Sequence, residues 1–593
     1  MNVDSAAQHI GAQGRFALAA SLAGVLVANV ALFAPFALYA GNREEFSVAL
    51  ADILIIYTAP SAAFITLCGG IGILLKDRFK VYVAVLVALA CLTWAQANIL
   101  VWNYGELDGS PIPWLETAWR GIADTCLWTL TLVAAVWFSH RVGRHLITGA
   151  ICTFGIQIIV TGLALQRGDV APHPRQQEPY DPVQHQAMFR FSSERNVLHI
   201  VMDGFQSDVF ADIIRDPGNQ RIVDALSGFT FFRDNMGLYP YTQMTIPLLV
   251  SGKKYRNEVP TDQFLDDTMR GSTILNTVEN RGFEVDIASQ PALAGVYSLG
   301  EHTNVFNVPV GQHASAEDYT VSDAVRLMDL SLFRVSPHFV KAYIYQDDMW
   351  FLKRFSRDDA YLRLRYFSEL MFLGQVEENL VVDRTAPVYK LFHLMLSHRP
   401  TVGNEQCEFD NVKRPGRLAV TLQARCGLLA IVGVLDSMKA AGIYDDSVIV
   451  LMADHGAWLP ARGYEVPPGS SAPPPVTAGL AVPTLAIKPA GASGPISVSN
   501  APTSIEDVPT TVAERLGLAN DLPGSSVFEL QENEYRTRRF YNYAYGKNGN
   551  APGYLNTLLE YEVVGSPFDA GSWQPQRRFR PGGAEELLSA SDP

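Results

Sequence analysis

Five apolar runs crowd the start of the chain, at residues 16–40, 46–75, 81–102, 121–137 and 145–166. Each is near or above the roughly 20 residues needed to cross a bilayer. They predict an N-terminal α-helical transmembrane bundle of five spans over residues 1–166. Four runs follow the first and no small-residue cleavage site stands out, so the first run reads as a span rather than a cleaved signal. Residues 167–195 are rich in Pro, Gln and charge, lack periodicity, and read as a linker. Beyond them the period changes. Short β-rich apolar runs at 197–202, 283–289, 388–394, 448–452 and 483–488 alternate with helical stretches. The clearest helix covers about 417–441, where Leu422, Cys426, Leu429, Val432, Leu435 and Met438 recur at spacings of three and four before Gly442. Such alternation predicts an α/β domain over 196–564, a mainly parallel sheet covered by helices. The Pro-, Gly- and Ser-rich stretch 460–483 is expected to be a lid or acceptor-binding loop. Residues 565–593 are expected to form a poorly structured tail.

Charge orients this plan. The loops at 76–80 and 140–144 are basic, whereas 41–45 and 103–119 lean acidic. The positive-inside rule puts the basic loops and Arg15 in the cytoplasm, and five spans then deliver residue 167 to the outer face. Nearly all of the formal net charge of −14 lies beyond residue 166. An acidic outer domain excludes nucleic acid as a partner, because phosphate binding needs basic surface. Of the six cysteines, Cys68, Cys91, Cys126 and Cys152 lie in apolar segments, where they act as small hydrophobes. Cys407 and Cys426 alone fall in the polar part. Two is the number that makes one disulfide, which fits an oxidising compartment.

The candidate chemistry sits where strands end. The run at 448–452 leads into Asp454-His455-Gly456, and the run at 197–202 leads into Asp203-Gly204. In open α/β sheets, ligands bind beyond the carboxyl ends of the strands. An Asp at such a place also caps helices, but two such endings in one sheet favour a metal site. Asp203, Asp454 and His455 would supply oxygen and nitrogen ligands, which suit zinc, with manganese as the alternative. Thr242 and Thr245 open a helical stretch running towards Ser251-Gly252. A metal-bound Thr oxygen loses its proton more easily and becomes a nucleophile; a Thr-rich segment also simply starts a helix. His393 and His398 lie at and beyond the end of the run at 388–394. Near a metal they could bind phosphate, protonate a leaving group or hold a second ion.

In order, the chain shows strand-Asp-Gly, T-x-x-T-x-P from Thr242 to Pro247, H-x-x-x-x-H-x-P from His393 to Pro400, a long helix, and Ala453-Asp454-His455-Gly456. This set resembles the alkaline phosphatase/sulfatase superfamily over about residues 196–518, including Ser504-Ile505-Glu506-Asp507-Val508-Pro509-Thr510. With five spans before it, the chain looks like the membrane-anchored phosphoethanolamine and phosphoglycerol transferases of bacterial envelopes. The resemblance implies that Asp203, Thr242, Asp454 and His455 hold the metal. It implies Thr242 as the phosphorylated nucleophile, Thr245 as the second choice, and His398, with His393, on the phosphoryl group. It further implies a phospholipid donor, a glycan or lipid acceptor, and a multi-pass protein of the bacterial inner membrane with its catalytic domain on the periplasmic face. A periplasmic phosphodiesterase with water as acceptor and a non-catalytic lipid-sensing regulator are the alternatives. No C/S-x-P-x-R segment is present, which argues against sulfate-ester hydrolysis. The transferases usually carry Glu where Asp203 stands.

Overall fold

The structure, a computed structural model, describes residues 11–42, 48–104, 117–139, 154–163, 182–302, 304–308, 316–346, 350–353, 360–409, 416–532, 534–545 and 553–588, with isolated residues between them. They fall into two compact units, residues 1–179 with 313–361, and residues 180–312 with 362–593. Most of the expected linker, 167–181, lies outside the described residues.

In the first unit, Ala12–Gly41, Leu50–Leu74 and Phe79–Asn98 are helices long and apolar enough to cross a membrane. They correspond to three of the five expected runs. The fourth run forms the helix Ala118–Trp137, which carries Arg120 and Asp124. The fifth lies largely outside the described residues; its described part is the helix Phe154–Leu163. Residues 313–361 belong to this unit, although their sequence lies within the stretch expected to be α/β domain. They form the helices Ala316–Val335 and His338–Tyr345.

The second unit is built on an eight-stranded sheet. In chain order its strands are β1 (Asn196–Met202), β2 (Thr230–Phe232), β3 (Glu284–Ser289), β4 (Asn304–Asn307), β5 (Val388–Leu394), β6 (Val448–Met452), β7 (Leu485–Lys488) and β8 (Ser497–Ser499). Their spatial order is β8-β2-β7-β6-β1-β5-β3-β4. All pairs are parallel except those that β7 makes with β2 and β6. β1, β5 and β6 are buried along their whole length. Side chains alternate across a strand, so Leu198, Ile200 and Met202 join one core, while Val197 and Val201 join another on the opposite face. The helix Arg417–Ala440 is as long and apolar as a span. However, Val420, Ala424, Leu428, Ile431 and Leu435 pack into the first core, so it covers the sheet.

One expectation is corrected. The tail after residue 564 is structured: Trp573–Arg580 and Ala584–Leu587 complete a four-stranded antiparallel sheet with Thr537–Asn542 and Leu558–Val564. Trp573 and Phe579 are buried in it, so apolar residues spaced for a strand anchor what composition alone made look loose. The stretch 460–483, expected to be a lid or acceptor-binding loop, is partly folded, with residues 465–471 exposed. It contains the helix Pro475–Leu480, buries Ala461, Tyr464, Ala478 and Leu480, and is tied down where Asp208 accepts from the Arg462 backbone N–H at 2.6 Å and from Arg417 at 2.9 Å.

Candidate metal centre

Strand order brings the chemistry together. β1 lies between β5 and β6, with Val201 opposite both His393 and Met452. The three central strands therefore end side by side. Asp203 leaves β1 with its N–H donating to the Leu394 carbonyl at 2.8 Å. Asp454, two residues past β6, accepts from the Gly204 N–H at 3.0 Å. Gly204 has φ +69°, a left-handed turn that favours glycine. His455 Nδ1 lies 2.8 Å from the Gly456 carbonyl. A carbonyl only accepts, so Nδ1 carries the proton and Nε2 presents its lone pair inward. That Nε2 is 3.4 Å from Asp454 Oδ2 and 3.6 Å from Asp203 Oδ1.

Thr242 begins the ten-residue helix Thr242–Ser251. Its hydroxyl donates to Asp203 Oδ2 at 3.1 Å and lies 3.3 Å from His455 Nε2. Thr245 is placed differently. It is buried, and its hydroxyl donates back to the Tyr241 carbonyl at 3.1 Å. Thr242 is thus the hydroxyl in contact with the carboxylate and the imidazole.

Both histidines reach the same carboxylate. His393 Nε2 is 3.6 Å from Asp203 Oδ2, and His398 Nε2 is 3.9 Å from Asp203 Oδ1. His393 is fully buried, whereas the His398 side chain is 26% exposed, so the latter faces the approach to the site. Two residues that sequence reasoning missed position them. The Tyr297 hydroxyl meets His393 Nδ1 at 2.8 Å, and Gln423 donates to the His398 carbonyl at 2.9 Å. Tyr297 lies in the helix Pro291–Ser298, in no motif, and nothing in its neighbourhood flagged it. Cys407 and Cys426 form a disulfide that joins the loop after His398 to the helix bearing Gln423.

Asp203, Asp454 and His455 offer ligand atoms that all lie within 4.8 Å of one another. Burial alone would discourage ionisation of Asp203, but the imidazoles of His398, His393 and His455 hold its carboxyl below the usual range. Burial would likewise lower His455, and the Asp454 and Asp203 carboxylates outweigh it and raise it. Asp203 Oδ1 and Asp454 Oδ2 are buried without a hydrogen-bond partner. Buried polar atoms normally have one, and two carboxylate oxygens facing an imidazole lone pair repel unless a cation sits among them. A two-oxygen, one-nitrogen set with a nearby hydroxyl fits a zinc-like ion. The residues present fit the group.

No family model matches the sequence, and no curated protein matches it. Solved structures do. The lipoteichoic acid synthase LtaP of Listeria monocytogenes is 11% identical, over 67% of this chain and 87% of that one, with a TM-score of 0.37. The zinc complex of the C-terminal periplasmic domain of EptC from Escherichia coli is 13% identical over 58% and 89%, with a TM-score of 0.35. An alkaline phosphatase superfamily protein of Vibrio parahaemolyticus is 13% identical over 69% and 91%, with a TM-score of 0.39.

Proposed function

We propose that this chain is a metal-dependent phosphotransferase of the alkaline phosphatase/sulfatase kind, acting on a phospholipid at a membrane surface. The observation that carries the reading is the Thr242 hydroxyl, within hydrogen-bonding distance of both Asp203 and His455 and set at a helix N-terminus. Asp203, Asp454, His455 and Thr242 would hold a divalent ion, zinc before manganese. When bound, such an ion favours the ionised hydroxyl and offsets phosphoryl charge.

Thr242 Oγ1 attacks the head-group phosphorus. A Thr–phosphate bond forms, the bond from phosphorus to the diacylglycerol oxygen breaks, and that oxygen leaves with a proton. His398, partly exposed beside Asp203, is the group suited to supply this proton. His393 stays buried between Tyr297 and Asp203 and orients the carboxylate. The N-terminal N–H groups of the Thr242–Ser251 helix favour the anionic phosphoryl group. A glycan or lipid hydroxyl then gives its proton to His398 and attacks the phospho-threonine. The new oxygen–phosphorus bond forms, the Thr242–phosphorus bond breaks, and the phosphoethanolamine or phosphoglycerol group passes to the acceptor as the ionised Thr242 oxygen and the protonated His398 are restored. Apolar N-terminal helices support a membrane location, in a bacterial inner membrane with the α/β unit outside, where a lipid donor is met at the bilayer surface.

The test is Thr242→Ala against wild type, with product analysis on purified phospholipids and mass mapping of trapped phosphate. Phosphate trapped on Thr242 and silence of the variant are expected. An active Ala variant removes the assignment, and free head group without modified acceptor would favour hydrolysis.

A further inference from the structure

The helix His338–Tyr345 leaves apolar side chains outside while burying polar ones. It buries Ile344 and Tyr345 at its C-terminal end against Phe333 and Trp350, but its other buried positions are His338 and Lys341, whereas Phe339, Val340 and Tyr343 are 45%, 43% and 73% exposed. A helix on a water-facing surface turns its apolar stripe inward. Here the polar groups are the ones satisfied inside the unit. His338 Nδ1 meets the Tyr104 hydroxyl at 2.7 Å, and the His338 N–H donates to Asp124 at 3.0 Å. Lys341 donates to the Phe333 and Arg334 carbonyls. Asp124 also accepts from Gln96 at 3.1 Å and Trp102 at 3.0 Å, so one buried carboxylate latches this helix to two of the apolar N-terminal helices.

The latch sits at one set of helix ends. Phe339 packs so tightly on Gly121 that an added Cβ there would lie 2.5 Å from its ring. The preceding helix, Ala316–Val335, contributes Ala324 and Leu327 to a cluster with Phe36, Tyr39, Ile53 and Tyr57, and Arg334 donates to the Ala97 carbonyl at 3.0 Å. Residues 36–39 and 97 close their helices, while 53–57 and 121–124 open theirs. In antiparallel spans these ends all emerge at the same leaflet. Trp119 and Ile122, which flank the buried Gly121 on Ala118–Trp137, are themselves exposed.

We infer that His338–Tyr345 is an interfacial membrane element whose Phe339, Val340 and Tyr343 lie in lipid, at the leaflet where residue 98 emerges. An apolar face on a helix with satisfied polar groups behind it belongs at the headgroup–acyl boundary, buried about 5–10 Å. The occupant is the bilayer itself. This is independent of the phosphotransfer reading and rests on the apolar helices being spans.

Single spin labels test it on the full chain in phospholipid nanodiscs. Labels are placed at Val340→Cys and Tyr343→Cys with Cys68, Cys91, Cys126 and Cys152 replaced by Ala and the Cys407–Cys426 disulfide kept. Ile122→Cys serves as the span reference and Asp521→Cys as the water reference. Collision with oxygen should exceed collision with a water-soluble nickel chelate at 340 and 343, at a depth of about 5–10 Å. Lipid-like behaviour at 122 with water-like behaviour at 343 overturns the latch alone, and water-like behaviour at 122 overturns the spans as well. Exclusion of both reagents with label–label broadening means a second copy covers the face, and also overturns it. Photoactivatable phospholipid cross-linking of the unmodified chain is the second measurement. Adducts within 338–345 are expected, and their absence overturns the inference even if the labelled variants fail to assemble.

Discussion

Replacing Asp454 by Asn probes the metal centre with little change of shape. Asn keeps an oxygen for the Gly204 N–H, which Asp454 Oδ1 holds at 3.0 Å. It replaces Oδ2, buried without a partner 3.4 Å from His455 Nε2, by an amide that can donate to that nitrogen. Without metal, and at a pH high enough to leave His455 neutral, Asp454→Asn should therefore be at least as stable as wild type, because a buried carboxylate oxygen without a partner is costly. With metal the order reverses. Zinc at about a thousand times its dissociation constant stabilises the folded state by about 4 kcal/mol. For the unit made of residues 180–312 and 362–593, about 2.1 cal/mol/K per residue gives an unfolding entropy of roughly 0.8 kcal/mol/K. The expected rise in Tm is then about 5 °C for wild type and near zero for the variant. Calorimetry of the solubilised chain, first in chelator and then along a zinc titration, reads both. A full zinc shift in Asp454→Asn, or no shift in wild type, would refute the assigned ligand set.

Three other outcomes follow from the same geometry. Thr245→Val should leave turnover intact and cost about 1 kcal/mol in denaturant unfolding, because its buried hydroxyl only bonds back to Tyr241; inactivity as deep as that of Thr242→Ala would move the nucleophile. In chelator, His455 has a raised folded pKa, so its contribution to stability is present below the ordinary imidazole value and is lost as pH rises through the folded one. Tm should fall with rising pH above about 6.5, and His455→Gln should flatten that slope; an unchanged slope in the variant would locate the effect elsewhere. Cys407→Ser should destabilise by about 3 kcal/mol, since the disulfide closes a loop of sequence separation 19, and reductant should then shift wild type but not the variant.

Much of the α/β unit was legible because strands buried on both faces write themselves as unbroken apolar runs. The runs at 197–202, 388–394 and 448–452 correspond to the central strands β1, β5 and β6. Asp203, Asp454 and His455 were legible for the same reason, being polar groups placed where such runs stop. Thr242 was marked by resemblance more than by pattern. Its neighbour Thr245 has the same chemistry and a similar position, and only the helix geometry separated them. By contrast, Tyr297 meets His393 across a separation of 96 residues, and no local signal encodes a contact of that range.

By itself the sequence determined the local periods: apolar runs of spanning length, strands and covering helices, and the residues at strand ends. Tertiary structure decided which ends become neighbours, because that depends on strand order and not on the strands. It also decided which face of a helix looks outward. Phe339-Val340-Lys341-Ala342-Tyr343 reads as an ordinary helix segment, and only packing against Gly121 and Asp124 turns its polar side in and its apolar side out. The tail shows the same division: its strands are rich in charge, and they form because Thr537–Asn542 and Leu558–Val564 supply the ladder on which they pair and the core that buries Trp573 and Phe579.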